Sequence, residues 1–419
     1  MSWVQYTAET EFPVQNLPYA VAYKKGCDAK QAVCVTRIGD YVVDLAGLQA
    51  AGLLLSVQTD CFAKPYLNDF MAMGREAWTQ CRSQLTALFA TGGKADLREN
   101  KELQGKVFLN AADAAYLVPC RIGDYTDFYA SIGHATNMGK MFRPNEAALK
   151  PNWKWMPVGY HGRASSVVVS GTDLKRPRGQ IKARTEPKPK YGLCARMDYE
   201  IEMAIYVGTG NELGDPVKVE DAPNKIFGVG LMNDWSARDI QVWEYVPLGP
   251  FNGKNLGTTV SPWIITLDAL QPFLVQGEVQ DPAPFPYLAE KVKAHYDINI
   301  ALAIQTAKMD KPHELSKTNG KYVYWSWNQM MAHHTETGCN LRPGDMYGTG
   351  TLSGPTDAEM GSILELSWAG KKPISLPNGE TRTFIEDGDT IIITGFCQGD
   401  GYRIGFGEAR GTILPANPL

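Results

Sequence analysis

His134 follows closely on Asp127 in the stretch Arg121 to Arg143, RIGDYTDFYASIGHATNMGKMFR, which also carries Asp124, Tyr125, Phe128 and Tyr129. A carboxylate, a phenol and an imidazole so near one another can supply a ligand for a hard cation, a hydrogen-bond donor and a general base. The stretch has too few aliphatic residues to read as a core strand. A short loop running into a helical turn is expected, with a solvated loop and a surface histidine as the plainer alternative.

Further groups of this kind recur downstream. In Met197 to Met203, Glu200 and Glu202 are two apart in a strand pattern, so both point to one face at the end of an otherwise uncharged segment. Asp234 falls at the end of an apolar strand and is equally well placed as a helix N-cap. After it Arg238, Gln241 and Tyr245 recur at spacings of three and four, which gives one helix face a guanidinium, an amide and a phenol. Pro250 to Thr259 is a glycine-broken loop holding Lys254 and Thr258, without the spacing of a phosphate-binding loop. Glu365 lies in Ser362 to Trp368, read as an apolar strand, where it either faces water or orients a histidine. Tyr347 to Pro355 is a glycine-rich turn whose hydroxyls and N–H groups suit an anion.

If Asp127, Glu200, Glu202 and Asp234 converge, repulsion of ~4 kcal/mol per close pair at an effective dielectric of about 20 calls for a cation among them. All-oxygen ligands point to Ca2+ or Mg2+ and away from zinc or copper. His333 and His334 lack metal-ligand spacing and read as a packed helix end.

The elements that must hold these groups fall into two textures. The chain has 419 residues with 44% hydrophobic content, enough for more than one core, and two domains are expected, 1–118 and 119–419. In the first, Val33 to Leu45 alternates around Gly39-Asp40 as a hairpin. Pro65 to Phe89 has helical spacing closed by Thr91-Gly92-Gly93, and the charged segment Asp96 to Lys106 reads as a linker. No carboxylate-histidine cluster occurs there, so a scaffolding or oligomer-contact role is expected. From 119 onward short strands dominate: Val167–Ser170, Tyr199–Val207, Ile226–Met232, Val260–Leu267, Asp297–Ile304, Ile363–Trp368 and Thr390–Thr394. Many strands with little helix imply a mostly β (α+β) sandwich or rolled barrel. The basic segment Lys175 to Lys190 is read as a solvated excursion.

The net charge of -4 and pI of about 5.9, with both signs interleaved, argue against a nucleic-acid or membrane-surface role. No secretory leader or long apolar run occurs, so a cytoplasmic protein is expected. Eight scattered cysteines without a C-x-x-C pair read as reduced thiols.

The blocks DYTDFY and HATN, DYEIE, NDWSARDIQ-x-WEY, PLGPF-x-GK-x-x-GTT and GTGT-x-SGP resemble the fumarylacetoacetate hydrolase (FAH) family, as do NLPYA and the tail GFCQGDGYRIGFGE. The likeness spans nearly the whole chain. Residues Ala130 to Gly133, Asn252 and Asn255 differ from the family wording at unchanged spacing. The resemblance implies a small SH3-like N-terminal barrel followed by a mixed β-sandwich roll of the FAH type, acting as a homodimer. It implies a divalent-metal site at Asp127, Glu200, Glu202 and Asp234, usually Ca2+, and a second position for Mg2+ at Asp234, Lys254 and Thr258. His134 matches the catalytic base, with Glu365 behind it. Arg238, Gln241 and Lys254 match an oxyanion-stabilising set, and Tyr129, Arg143, Tyr160, Gln241, Tyr245 and Thr351 match substrate contacts. The implied reaction is hydrolysis of a carbon-carbon bond in a small diketo acid, fumarylacetoacetate. Acylpyruvate hydrolysis, oxaloacetate decarboxylation and a non-catalytic carboxylate-binding role are the alternatives.

Overall fold

A computed structural model describes residues 1–418 apart from 58 and 184, so Arg184 of the basic segment lies outside the described residues. At the amino-terminal end an antiparallel five-stranded sheet runs in the order Phe108–Asn110, Tyr41–Asp44, Val33–Ile38, Tyr19–Lys24, Ala114–Tyr116. The expected hairpin closes with Ile38 opposite Tyr41, and Gly39 supplies the left-handed φ of 54° that the two-residue turn needs. The single helix expected over 65–89 is two, Asn68–Met71 and Arg75–Phe89. Between them Gly74 takes a φ of 88°, which no α-helix can pass through. The second helix buries Trp78, Cys81, Leu85, Leu88 and Phe89, the predicted stripe.

Asp96 to Lys106 is not a linker. Asn100 caps a helix over Lys101–Val107, accepting from the Leu103 N–H at 2.9 Å, and that helix leads directly into the Phe108–Asn110 edge strand.

The remainder is built on two sheets. One has eight strands: Gly159–His161, Tyr125–Phe128, Met346–Gly348, Ile201–Val207, Ile226–Asp234, Thr258–Val260 and Val167–Val169 in order, with Ile265–Thr266 paired beside Ile226–Asp234. The other has five, with Asn299–Gln305, Thr390–Gln398 and Arg403–Leu414 at its centre. Met203, Ile205, Val229 and Leu231 from the first pack with Ile300, Leu302, Ile391, Ile393 and Phe406 of the second as one core.

Alternation along Ile201–Val207 sends Ala204 and Tyr206 to the opposite face, where Phe227, Met232, Val260 and Met346 share a second core with Tyr19, Phe70, Trp78 and Leu85 of the amino-terminal unit. Both faces of the central sheet are therefore covered.

Three strand assignments change. Tyr125–Phe128, expected as loop, is a fully buried strand, because its aromatic rings fill core space that aliphatic residues were expected to need. The run Val260–Leu267 is interrupted after Val260 near Pro262, resumes as Ile265–Thr266 and turns helical at Leu267. Ile363–Leu366 is a short helix, with Ser362 as its cap accepting from the Glu365 N–H. The basic segment is only partly a free excursion. Leu174–Lys175 joins the five-stranded sheet and Arg178–Ile181 pairs with Lys190–Leu193.

Phe227 is the joint between the amino-terminal unit and the central sheet, with ring centroids 5.7 Å from Tyr19, 5.8 Å from Phe70 and 5.2 Å from Trp78. Phe227→Ala is expected to lower stability by about 3–5 kcal/mol. In urea titrations, tryptophan fluorescence and far-ultraviolet circular dichroism should shift together to a lower midpoint. Separate transitions would show that the two units fold independently.

Candidate active site

Sheet register brings the carboxylates together. Asp127 lies opposite Gly348, Gly348 opposite Ala204, and Glu202 opposite Met232, two residues from Asp234 at the strand end. All three acids point to the face shared with the amino-terminal unit. One oxygen from each of Asp127, Glu202 and Asp234 lies within 4.8 Å of the others. Burial, reinforced by the neighbouring carboxylates, pushes Asp127 and Glu202 well above the usual carboxylate range and raises Asp234.

Asp127 Oδ1 and Glu202 Oε1 are buried without a hydrogen-bond partner. Orphaned carboxylate oxygens in such a cluster fit a hard divalent cation, which would supply the missing partner. Gly348 keeps the space open, since a Cβ there would stand 2.6 Å from Asp127 Oδ1 and 2.8 Å from Glu202 Oε2. The anion served by the glycine-rich turn is internal, for the Gly350 N–H donates to Glu202 Oε2 at 2.9 Å.

Glu200 stands apart from this trio. Its Oε1 is 2.8 Å from Arg238 Nη2 and its Oε2 accepts from Lys254 Nζ, which also donates to Asp234 Oδ2 at 2.6 Å. Burial would raise the Glu200 carboxyl, but Lys254, Arg238 and His134 more than reverse this and hold it low. Conversely burial would lower Lys254, and Asp234 and Glu200 raise it, so it stays an ammonium. A protonated Nζ has no lone pair for a metal. Thr258 Oγ1 and the Tyr160 hydroxyl each donate to Asp234 at 3.3 Å.

His134 sits in the helix Ile132–Phe142 with Nδ1 2.7 Å from Glu365 Oε2 and Nε2 3.8 Å from Glu200 Oε1. Glu365 is held by Ser362 Oγ at 2.8 Å, Ser353 Oγ at 3.0 Å and Asn137 Nδ2 at 2.9 Å. Burial pushes its carboxyl up, but His134 and these donors leave it lowered overall. An ionised Glu365 selects the tautomer protonated on Nδ1 and leaves a lone pair on Nε2.

These groups surround a cavity of about 400 Å³. Asp127, Tyr129, His134, Arg143, Tyr160, Glu200, Glu202, Arg238, Gln241, Tyr245, Lys254 and Thr351 line it, with an apolar wall of Met138, Phe142, Val242, Leu248 and Pro250. Asp234, Thr258 and Glu365 lie behind the lining. Arg143 Nε and Thr351 Oγ1 are buried without hydrogen-bond partners, and Arg238 Nη1 donates to Gln241 Oε1 at 3.2 Å. A larger hollow of about 600 Å³ beside Asn211, Asp215 and Lys218 is more open and gathers no such set.

Sequence reasoning missed Asp198, Asn137, Ser353 and Ser362. Asp198 continues the two-residue alternation of Glu200 and Glu202, and Asn137 lies one helical turn from His134, so both carried a readable signal. His333 and His334 end the helix Trp327–Thr335, as expected, hydrogen-bonding Tyr287 and Thr126.

The family model for the fumarylacetoacetate (FAA) hydrolase C-terminal region matches residues 125–414, and that for the fumarylacetoacetase N-terminal region matches 15–119. The chain belongs to the fumarylacetoacetate hydrolase family. It is 51% identical to the fumarylacetoacetase of Homo sapiens, with 99% of each chain covered, and 50% identical to that of Arabidopsis thaliana, with 100% of this chain and 99% of the relative covered. The solved structure of a fumarylacetoacetate hydrolase from Exiguobacterium antarcticum superposes at a TM-score of 0.52 and 17% identity, covering 95% of this chain and 99% of that one, and shares the fold. The mostly β architecture of this family is thus the architecture of this chain. Among the described residues no helix is long and apolar enough to cross a membrane.

Gly348→Ala should lower divalent-cation affinity by about tenfold or more without unfolding the sheet, as read by isothermal titration calorimetry beside circular dichroism. Unchanged affinity would place the cation elsewhere. Because the Glu365 carboxyl is depressed on folding, its stabilising share is fully present above the unfolded carboxylate range, about pH 4–5, and is lost as pH falls through its lower folded value. The stability gap between wild type and Glu365→Gln in urea titrations should therefore narrow on acidification, and a gap independent of pH would contradict the assignment.

Proposed function

We propose that this chain is a hydrolase that cleaves the carbon-carbon bond of 4-fumarylacetoacetate, yielding fumarate and acetoacetate. The observation that carries the mechanism is the Glu365–His134 pair, which leaves the His134 Nε2 lone pair at a cavity that Arg238, Gln241 and Lys254 also line. Glu365 keeps the proton on Nδ1, so Nε2 takes a proton from water as its oxygen attacks the C4 carbonyl. Arg238, Gln241 and Lys254 stabilise the resulting oxyanion. The C4–C5 bond then breaks, fumarate keeps the added oxygen, and the acetoacetate carbanion is protonated. Asp127, Glu202 and Asp234, with Glu200 beside them, would hold a divalent cation, which would supply Lewis-acid polarisation there.

Tyr129, Arg143, Tyr160, Tyr245 and Thr351 are assigned to substrate contact. Thr351 Oγ1, and Arg143 Nε, which has only a 4.0 Å ion pair to Glu146, lack hydrogen-bond partners and support that role for these two, while the Tyr160 hydroxyl is turned to Asp234. Ca2+ is proposed for the carboxylate trio and Mg2+ for a position by Asp234, Lys254 and Thr258. At the second position Lys254 Nζ is not a ligand, since it is an ammonium that donates to Glu200 and Asp234. Residues 1–118 act as scaffold and 119–419 as the catalytic unit.

The enzyme is proposed to close tyrosine and phenylalanine breakdown in the cytoplasm, as a homodimer. The exposed apolar run Trp243, Tyr245, Val246, Leu248 and Phe251 at the cavity mouth supports a covered surface. Likeness over the full length, amino-terminal unit included, favours this reading over acylpyruvate hydrolysis or oxaloacetate decarboxylation.

Loss of fumarylacetoacetate absorbance with appearance of fumarate is the direct assay. Turnover should cease with EDTA, return with Ca2+ or Mg2+, and fall at least ~10²-fold in His134→Ala. Consumption of an acylpyruvate or oxaloacetate with fumarylacetoacetate untouched would overturn the substrate assignment.

A further inference from the structure

Asp198 is fully buried and receives four hydrogen bonds. Its Oδ1 accepts from the backbone N–H of Tyr199 at 2.8 Å and of Ile363 at 2.8 Å. Its Oδ2 accepts from Arg238 Nε at 2.7 Å and, more weakly, from the Leu364 N–H at 3.4 Å. The residue does not line the cavity. Its partners belong to two separate parts of the machinery. Arg238 presents Nη2 to Glu200 and Nη1 to Gln241, so Asp198 grips the remaining Nε edge and sets the plane of the guanidinium. Ile363 and Leu364 open the short helix whose third residue is Glu365, the partner of His134 Nδ1.

We propose that Asp198 is a positioning residue that locks the guanidinium of Arg238 and the Glu365–His134 pair into one register, so that the proton acceptor and the oxyanion donor meet the same substrate carbon. This rests on the reaction proposed above. A carboxylate is the side chain that the donors require, because all four approach as N–H groups. Asparagine would replace one oxygen with an NH2 that faces either Arg238 Nε and the Leu364 N–H or the Tyr199 and Ile363 N–H groups, donor against donor. Glutamate keeps both acceptors but adds a methylene in a space with no exposure, displacing one partner set. A carboxylate present only to neutralise a buried arginine has no need of the Ile363 and Leu364 contacts.

The test compares wild type, Asp198→Asn and Asp198→Glu. With fumarylacetoacetate, Asp198→Asn should lose about 10- to 100-fold in kcat with little change in KM. Affinity for a phosphinate mimic of the tetrahedral species should fall by the same factor as kcat/KM, while divalent-cation affinity is retained. The loss in Asp198→Asn combined with Glu365→Gln should be smaller than the product of the single losses. Independently of turnover, the downfield proton resonance of His134 Nδ1–H against Glu365 should shift in Asp198→Asn.

A folded Asp198→Asn with wild-type kcat, mimic affinity and resonance overturns the proposal. If Asp198→Asn does not fold, Asp198→Glu is read in its place, and failure of both to fold marks the carboxylate as purely structural and also overturns it. A wild type that leaves fumarylacetoacetate intact defeats the substrate reading alone, and the resonance still decides the role of Asp198.

Discussion

Ionised groups taken out of water at one end of the central sheet impose the constraint on which the site depends. Asp127, Glu200, Glu202, Asp234 and Asp198 are buried there, with Arg238 in contact with Asp198 and Glu200, and Lys254 in contact with Glu200 and Asp234. Each isolated charge would cost several kcal/mol to bury, so position and partnership are inseparable. Glu200 meets the requirement through two cations and stays ionised. Asp127 and Glu202 keep an orphaned oxygen apiece and are pushed up. The crowding of carboxylates around those orphaned oxygens is what fits the trio to a divalent cation.

That arrangement is possible because both faces of the sheet are sealed. The five-stranded sheet covers one face and the amino-terminal unit covers the other, where Tyr206, Phe227 and Met346 meet Tyr19 and Trp78. The acids extend the second face toward its open end. The amino-terminal unit carries no carboxylate-histidine cluster, yet it excludes water from the sheet face that the acids share. Scaffolding here is therefore an electrostatic contribution as much as a mechanical one, since a lower dielectric strengthens every pairing in the site.

The residues around Glu365 show how short elements can carry chemistry. A strand at 363–368 would have alternated Glu365 away from its backbone support. The helix Ile363–Leu366 instead lets Ser362 serve as both its cap and a donor to the Glu365 carboxylate. Asn137 reaches the other carboxylate oxygen from the helix bearing His134, which joins the two helices side chain to side chain.

Much of the site was legible in the chain itself. Glu200 and Glu202 at strand spacing, Arg238 and Gln241 at helical spacing, and Asp234 at a strand end are local patterns, and local periodicity follows from backbone geometry alone. The break at Gly74, the helix at 101–107 and the helix at 363–366 were not legible, because a left-handed glycine, a capping amide and buried acceptors from distant strands decided them. Sequence by itself determined which residue types were available and on which face of its own element each would lie. Only the tertiary structure decided that Glu200 pairs with Lys254 and Arg238 while Asp127, Glu202 and Asp234 form the trio, since charge partners are set by sheet register and burial, and neither exists in an isolated segment.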